Sequence, residues 1–335
     1  MDTGAPLMLS HDIVVIGGST GSLPVLKQLC AGLPADLPAS VSIVVHVGRH
    51  GQNLLADVLD DCGPLRVTTA EEGEPIERGR VYVAPGDHHL LLDDGVIRLG
   101  RGPRENMTRP AVDPLFRSAA AGYGPRVIGV VLSGQLNDGS AGLAAVKQCG
   151  GLAVVQSPSE AEANGMPSSA LQCCDVDYEA SSSELGALLA RLVQQPAGPA
   201  VSIPPGIAME AEFALGRTSD SPRLQQIADP STISCPACGG VLSEMHDRHT
   251  LRFRCQIGHA YTAECLDQEQ DGSAHEGLGI ALRMLESRAT LVERMAQEAR
   301  AKGRDRIAAE YEERAVEYRR NVEAIWQVML RSDLT

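Results

Sequence analysis

The chain has 335 residues, more than one hydrophobic core usually serves, so two or three folded units are expected. Its formal net charge of -14 opposes non-specific attraction to nucleic acid or to an anionic membrane surface, and no DNA partner is expected. Hydrophobic residues make up 43% but aromatic ones only 3%, so burial has to come from Val, Leu, Ile and Ala packed in sheets and helices, the profile of an α/β enzyme.

Residues 1–10 carry no basic stretch followed by an apolar one, and no apolar run approaches the roughly 20 residues that span a bilayer. A cytoplasmic protein without membrane insertion is expected. The nine cysteines are an odd number, and three of them lie close together at metal-like spacing, which argues against a secreted disulfide framework and for reduced thiols.

From residue 12 to about 190, short β-branched runs alternate with helical patterns, predicting a doubly wound, mostly parallel α/β sheet. Runs 13–16, 42–45, 127–132 and 152–156 read as buried parallel strands. Runs 81–84 and 90–99, turning at Asp93-Asp94-Gly95, predict an antiparallel hairpin added to that sheet. This unit is placed at 11–192. Residues 193–230, rich in Pro, Gly, Ser and Gln, read as a linker. A compact Cys/His segment at 231–268 and a helical hairpin at 274–332, split at Lys302-Gly303, complete the chain. In the second helix Ile307, Tyr311, Ala315, Tyr318, Val322, Ile325 and Met329 form one apolar stripe, expected to pack on the neighbouring helix.

The first strand runs into Gly17-Gly18-Ser19-Thr20-Gly21, a G-x-S-x-G turn in which glycines permit a tight backbone and lift the Ser19 hydroxyl to the carboxyl edge of the sheet. The following helix N-terminus offers amides for an oxyanion. A phosphate-binding turn is the competing reading, but these glycines do not fit G-x-G-x-x-G in register. A serine needs a base, and His46 ends the strand at 42–45, on the edge where ligands collect in open α/β sheets. His50 reads as a solvated bystander. The orienting carboxylate is assigned to Asp138, in the turn-rich loop after 127–132, with Asp87 in reserve. The order Ser, His, Asp differs from that of the α/β-hydrolases.

Cys235-Pro-Ala-Cys238 and Cys255-Gln-Ile-Gly-His259 present paired ligands on two turns, the spacing of a closed tetrahedral structural zinc site. His246, His249 and Cys265 are weaker substitutes for a fourth ligand. Arg248, Arg252 and Arg254 make the segment locally basic, which leaves nucleic-acid contact ranked below protein docking.

Several motifs now in view resemble one family in the right order: Ile16 to Gly21, Val45-His46, Val83-Ala84-Pro85-Gly86-Asp87-His88-His89, Arg109-Pro110-Ala111-Val112-Asp113-Pro114-Leu115-Phe116, Leu132-Ser133-Gly134 through Asp138-Gly139, and Gly165-Met166-Pro167. Over about residues 12–185 the chain resembles the catalytic domain of the chemotaxis protein-glutamate methylesterases (CheB-type). The resemblance implies hydrolysis of γ-glutamyl methyl esters on a methylated chemoreceptor or similar signalling protein, releasing methanol, with related deamidation of receptor glutamines. It puts the nucleophile on Ser19, the base on His46 and the carboxylate on Asp138, with Thr20, Gln135 and Met166 on the oxyanion and substrate rim. Receiver-less members look similar in carrying a zinc ribbon and helical tail.

Three departures stand out. Gly21 is followed by Ser22 where the family often has a glycine pair. Gln135-Leu136 replaces the Met-Gly of many members near the oxyanion hole. Only about ten residues precede the first strand, so no phosphoacceptor receiver is expected, and the ribbon and helices are expected to replace it by docking on another chemosensory component or on the active-site rim. A scaffold built on a weakened esterase fold is the alternative function.

Overall fold

The computed structural model describes residues 10–46, 53–217, 221–247 and 250–332. His50, Arg248 and His249 lie outside the described residues.

Strand β1 (Ile13–Gly18) is buried along its whole length, as a central parallel strand must be. The chain continues through α1 (Ser22–Gly32), β2 (Ser40–Val45), α2 (Asn53–Asp60), β3 (Arg66–Thr69), β4 (Arg80–Val83), β5 (His89–Asp93), β6 (Val96–Gly100), α3 (Val112–Tyr123), β7 (Val127–Val131), α4 (Ser140–Gln148), β8 (Leu152–Gln156), α5 (Gly165–Cys173), β9 (Tyr178–Ala180) and α6 (Leu185–Leu192). Seven strands form one sheet in the order β3-β4-β2-β1-β7-β8-β9, and all its pairings are parallel. Alternation along β1 feeds two cores. Val14 and Ile16 pack with α1, α2 and α6, whereas Ile13 and Val15 pack with α3, α4 and α5.

The antiparallel hairpin is β5–β6, a separate two-stranded sheet. Its turn places Asp94 at φ 46 and Gly95 at φ 79, the two left-handed residues that a tight two-residue hairpin requires. Run 81–84, expected as a hairpin arm, instead belongs to the parallel sheet as β4, where Val81, Tyr82 and Val83 are all buried.

Residues 193–230, expected as a linker, contain α7 (Pro205–Ala214) and α8 (Ser221–Leu224), and α7 packs along α3. Proline starts α7, and Ile207, Glu210, Phe213 and Ala214 give it a buried face. Strands β10 (Ala228–Ser234), β11 (Val241–Met245), β12 (Arg252–Cys255) and β13 (Ala260–Thr262) then form an antiparallel ribbon in sequential order. Its small core holds Leu242, Phe253, Tyr261 and Leu266.

The chain divides into two compact units, Met1–Leu266 and Asp267–Thr335. In the second, α9 (Ala263–Ala301) turns through Gly303, at φ 68, into α10 (Asp305–Ser332). Ala315 and Val322 of the expected stripe are buried, but Ile307 is exposed and its neighbour Ala308 is buried instead. No helix among the described residues is long and apolar enough to cross a membrane.

Candidate active site and metal cluster

The carboxyl ends of β1, β2 and β7 meet at the point where strand order reverses, the place where open α/β sheets bind ligands. Gly18 pairs with Val45, so Ser19 and His46 are the next residues out on adjacent strands. The His46 amide donates to the Gly18 carbonyl at 3.2 Å, and the Ser19 amide donates to the Ser133 carbonyl, beyond β7, at 2.9 Å. Gly21, at φ 77, turns the chain into α1, and a Cβ there would lie 2.5 Å from Glu162 Cβ. The hydroxyl and amide of Ser22 both donate to the Ser19 carbonyl, at 2.6 and 3.1 Å. The Ser19 backbone is thereby pinned while its side chain stays partly exposed.

His46 Nε2 lies 2.7 Å from Asp138 Oδ2, with the imidazole 15% and the carboxylate 3% exposed. Asp138 Oδ2 also accepts from the Val112 amide at 2.7 Å, and Oδ1 accepts from the amides of Asp113 and Gly139 and from Asn106 Nδ2 at 3.0 Å. Burial alone would raise the pKa of this carboxyl, but the His46 hydrogen bond and charge, the Val112 amide and the Asn106 side chain bring it down to about 2. It is therefore ionised at neutral pH. With Nε2 engaged, Nδ1 is the His46 nitrogen left for a proton from serine. Among the described residues no hydrogen bond yet joins Ser19 Oγ to His46, a contact that tightens in many hydrolases only when substrate is bound. Thr108 Oγ1 sits 3.4 Å from the engaged nitrogen.

The rim residues divide. Thr20 and Gln135 are exposed, and the Thr20 carbonyl accepts from Ser133 Oγ at 2.8 Å. Met166 is fully buried, which corrects its expected place on the substrate rim. A Cβ on Gly134 would stand 2.0 Å from Met166 Sδ and 2.9 Å from Ser19 Cβ, so the thioether fills the space beneath the Ser19 loop. Leu136 adopts φ 59 and is 42% exposed. The reserve carboxylate Asp87 is exposed and pairs with Arg109 at 2.8 Å.

Two site residues escaped the sequence reading, Asn106 and Asp113. Both are buried. Asp113 accepts from the Gly139 and Gly142 amides at 3.0 and 2.7 Å, bracing the loop that carries Asp138. Burial, then the neighbouring Asp138 charge, push its carboxyl up to about 7 against the opposing pull of Arg117 and Arg252. Asp113 stood in the Arg109-to-Phe116 motif but without a role.

In the ribbon, the ligand atoms of Cys235, Cys238, Cys255 and His259 all lie within 4.8 Å of one another. A tetrahedral zinc ion with Zn–S of about 2.3 Å and Zn–N of about 2.0 Å sets S···S edges of about 3.8 Å and S···N edges of about 3.5 Å. The separations are 3.8 Å for Cys238 to Cys255, and 3.8 and 3.5 Å from His259 Nδ1 to Cys235 and Cys255. The donor set fits such an ion. Of the substitute ligands, His246 instead pairs with Asp229 at 2.9 Å, and Cys265 is buried outside the cluster.

Arg252 and Arg254 of the ribbon face inward. Arg254 binds Glu105 at 2.9 Å, and Arg252 binds Glu210 and Asp247 at 2.8 and 2.9 Å, while Arg117 pairs with both glutamates. Burial opposes ionisation of Glu210, but Arg252, Arg117 and Arg254 hold its carboxyl far below the usual range. These arginines are thus committed to an internal network and are not a phosphate-binding face.

A family model described as CheB methylesterase matches residues 14–189. A relative from Leptospira interrogans is 37% identical over 187 residues, which are 56% of this chain and 97% of that one. A protein-glutamate methylesterase/protein-glutamine glutaminase of Anaeromyxobacter dehalogenans is 39% identical over 166 residues, 50% of this chain and 49% of that one. The crystal structure of the Thermotoga maritima CheB methylesterase catalytic domain superposes with a TM-score of 0.53 at 35% identity, covering 55% of this chain and 100% of that one.

Proposed function

The chain belongs to the CheB methylesterase family of ester hydrolases, and from that premise we propose that it hydrolyses γ-glutamyl methyl esters on a methylated chemoreceptor-type protein through Ser19, His46 and Asp138. Ser19 Oγ attacks the ester carbonyl while His46 takes its proton and returns it to the leaving methanol. Water, deprotonated by the same imidazole, then releases the glutamate from the acyl-serine. Attack on a glutamine amide by the same steps releases ammonia, the related deamidation. Asp138 keeps the imidazole in its working tautomer and offsets its charge. Amides at the start of α1 and around Gln135 receive the oxyanion.

The observation that carries this reading is the 2.7 Å bond between His46 and a buried, ionised Asp138, on the strand register that sets His46 beside Ser19. A structural zinc belongs to the same proposal. Cys235, Cys238, Cys255 and His259 would hold it, and four protein ligands leave no open position for catalysis. We assign the protein to the cytoplasm, where receptor methylation sites and reduced thiols are found together.

The test is methanol release from a peptide carrying a glutamate γ-methyl ester. Ser19→Ala is expected to lower kcat by a factor on the order of 10⁶ with the fold intact. Near-native turnover in that variant would defeat the triad assignment. Failure of an organophosphonate ester to label Ser19 would favour the scaffold alternative.

A further inference from the structure

The ribbon is built against the catalytic carboxylate. Asn106 and Met107 both have left-handed backbones, at φ 47 and 65, a conformation that residues other than glycine hold only when their surroundings impose it. Here the ribbon imposes it. The Asn106 amide donates to the Ala260 carbonyl at 2.9 Å, Glu105 bridges to Ala260, and Met107 packs on the ribbon core.

The side chains continue the connection. The Thr262 amide donates to Asn106 Oδ1 at 3.1 Å, and Asn106 Nδ2 donates to Asp138 Oδ1 at 3.0 Å. In parallel, Thr262 Oγ1 donates to Asn137 Oδ1 at 2.7 Å, and Asn137 Nδ2 donates to Glu264 at 2.6 Å. Both the donor to Asp138 and the residue preceding it are therefore held by strand β13, which starts one residue after His259. The same turn brings Thr108 to 3.4 Å from His46.

We propose that Asn106 and Thr262 are positioning residues for ester hydrolysis, through which the C-terminal ribbon becomes part of the active site by holding the Asp138 carboxylate on His46. Without Asn106, Asp138 loses its one side-chain donor besides His46 among the described residues, and its Oδ1 is left to the backbone amides of Asp113 and Gly139 alone. Thr262 acts one step further out, its amide on the Asn106 side chain and its hydroxyl on the side chain of Asn137, the residue before Asp138. The proposal rests on the triad reading above.

The test uses the full chain, the γ-methyl ester peptide and four variants. Asn106→Gly keeps a backbone able to adopt the left-handed turn while removing the amide. It is expected to lower kcat about 10- to 100-fold with KM within about twofold, the effect of a misplaced catalytic group and not of lost binding. Thr262→Val should lower kcat in the same direction by a smaller factor, and Thr262→Ser should restore it. An unchanged kcat in Asn106→Gly overturns the proposal, as does a loss in Thr262→Val that serine fails to rescue. A kcat that falls only in step with the folded fraction, followed by circular dichroism, overturns it too. Ser19→Ala in the same assay separates the two readings. If it stays active the triad is wrong, whereas an inactive Ser19→Ala beside a fully active Asn106→Gly removes the positioning role alone.

Discussion

Asp113 and Asp138, both buried, share one amide nitrogen, that of Asn106, at 3.1 and 3.0 Å. Two carboxylates so placed cannot ionise with equal ease, and their environments separate them. Asp138 has His46 as partner and is brought down to about 2, whereas Asp113 is pushed up to about 7 by burial and by the Asp138 charge. The pair has one member that is charged at neutral pH and one that changes charge near neutrality.

A pH dependence of stability follows from Asp113. Its carboxyl has the ordinary value of 3.8 in the unfolded chain and is pushed up to about 7 in the folded one, so between those values the folded state binds more protons. Stability attributable to this group is therefore full below about pH 4 and falls as pH rises towards 7. Arg117 and Arg252 face it and moderate the loss. Urea unfolding at pH 5 and pH 7.5 should show the parent chain losing more stability across this interval than Asp113→Asn. Parallel behaviour of the two proteins would show that Asp113 is ionised throughout.

Removing the metal should loosen both the ribbon and the esterase site. In a segment this small, binding of a structural zinc, about 10 to 16 kcal/mol in isolated finger peptides, supplies most of the folding free energy. Cys235→Ser leaves three ligands around the position that the four donor atoms enclose. The expected results are loss of bound zinc by elemental analysis, a lower melting temperature, and faster proteolysis within 228–265. Because Asn106 hydrogen-bonds to both Ala260 and Thr262, turnover should fall as well, while the Ser19 turn, built from β1 and β7, keeps its structure. A variant that still binds zinc stoichiometrically would put the ligand set elsewhere.

The parts of the fold that sequence made legible are those where burial is complete. β8 was bounded correctly at 152–156, and β1, β2 and β7 to within two residues, because β-branched runs buried on both faces leave few alternatives. β3 (Arg66–Thr69) and β9 (Tyr178–Ala180) escaped because edge strands of three or four residues with exposed positions show no continuous apolar run. Helix α7 was hidden by its prolines and by Glu210, a charged residue on its buried face. In the site, Ser19 and His46 stood out as candidates since each directly follows a strand, and Asp138 since it lies in the turn-rich loop beyond β7. Asn106 could not. Its role depends on the ribbon more than 150 residues downstream, with Ala260 and Thr262 as partners, and such a long-range contact leaves no local pattern.

Glu210 carries the last prediction. It comes from α7 and faces three arginines: Arg252 through two bonds of 2.8 and 3.0 Å, Arg117 at 3.2 Å and Arg254 at 3.3 Å. The group lies in the interior, so solvent cannot replace a lost partner. Glu210→Gln keeps the volume and removes the charge, leaving Glu105 and Asp247 to balance the same three guanidinium groups. Breaking a buried pair by removing one partner costs about 3–5 kcal/mol, since the desolvation penalty of the remaining charge is no longer offset. Urea unfolding should show a loss of that order at neutral pH. Because Arg252 and Arg254 belong to the ribbon and Arg117 to α3, the variant should also release the ribbon from the catalytic layer, seen as increased amide exchange at 252–262. A loss below about 1 kcal/mol would mean that water enters the network readily, and that it does not clamp the ribbon.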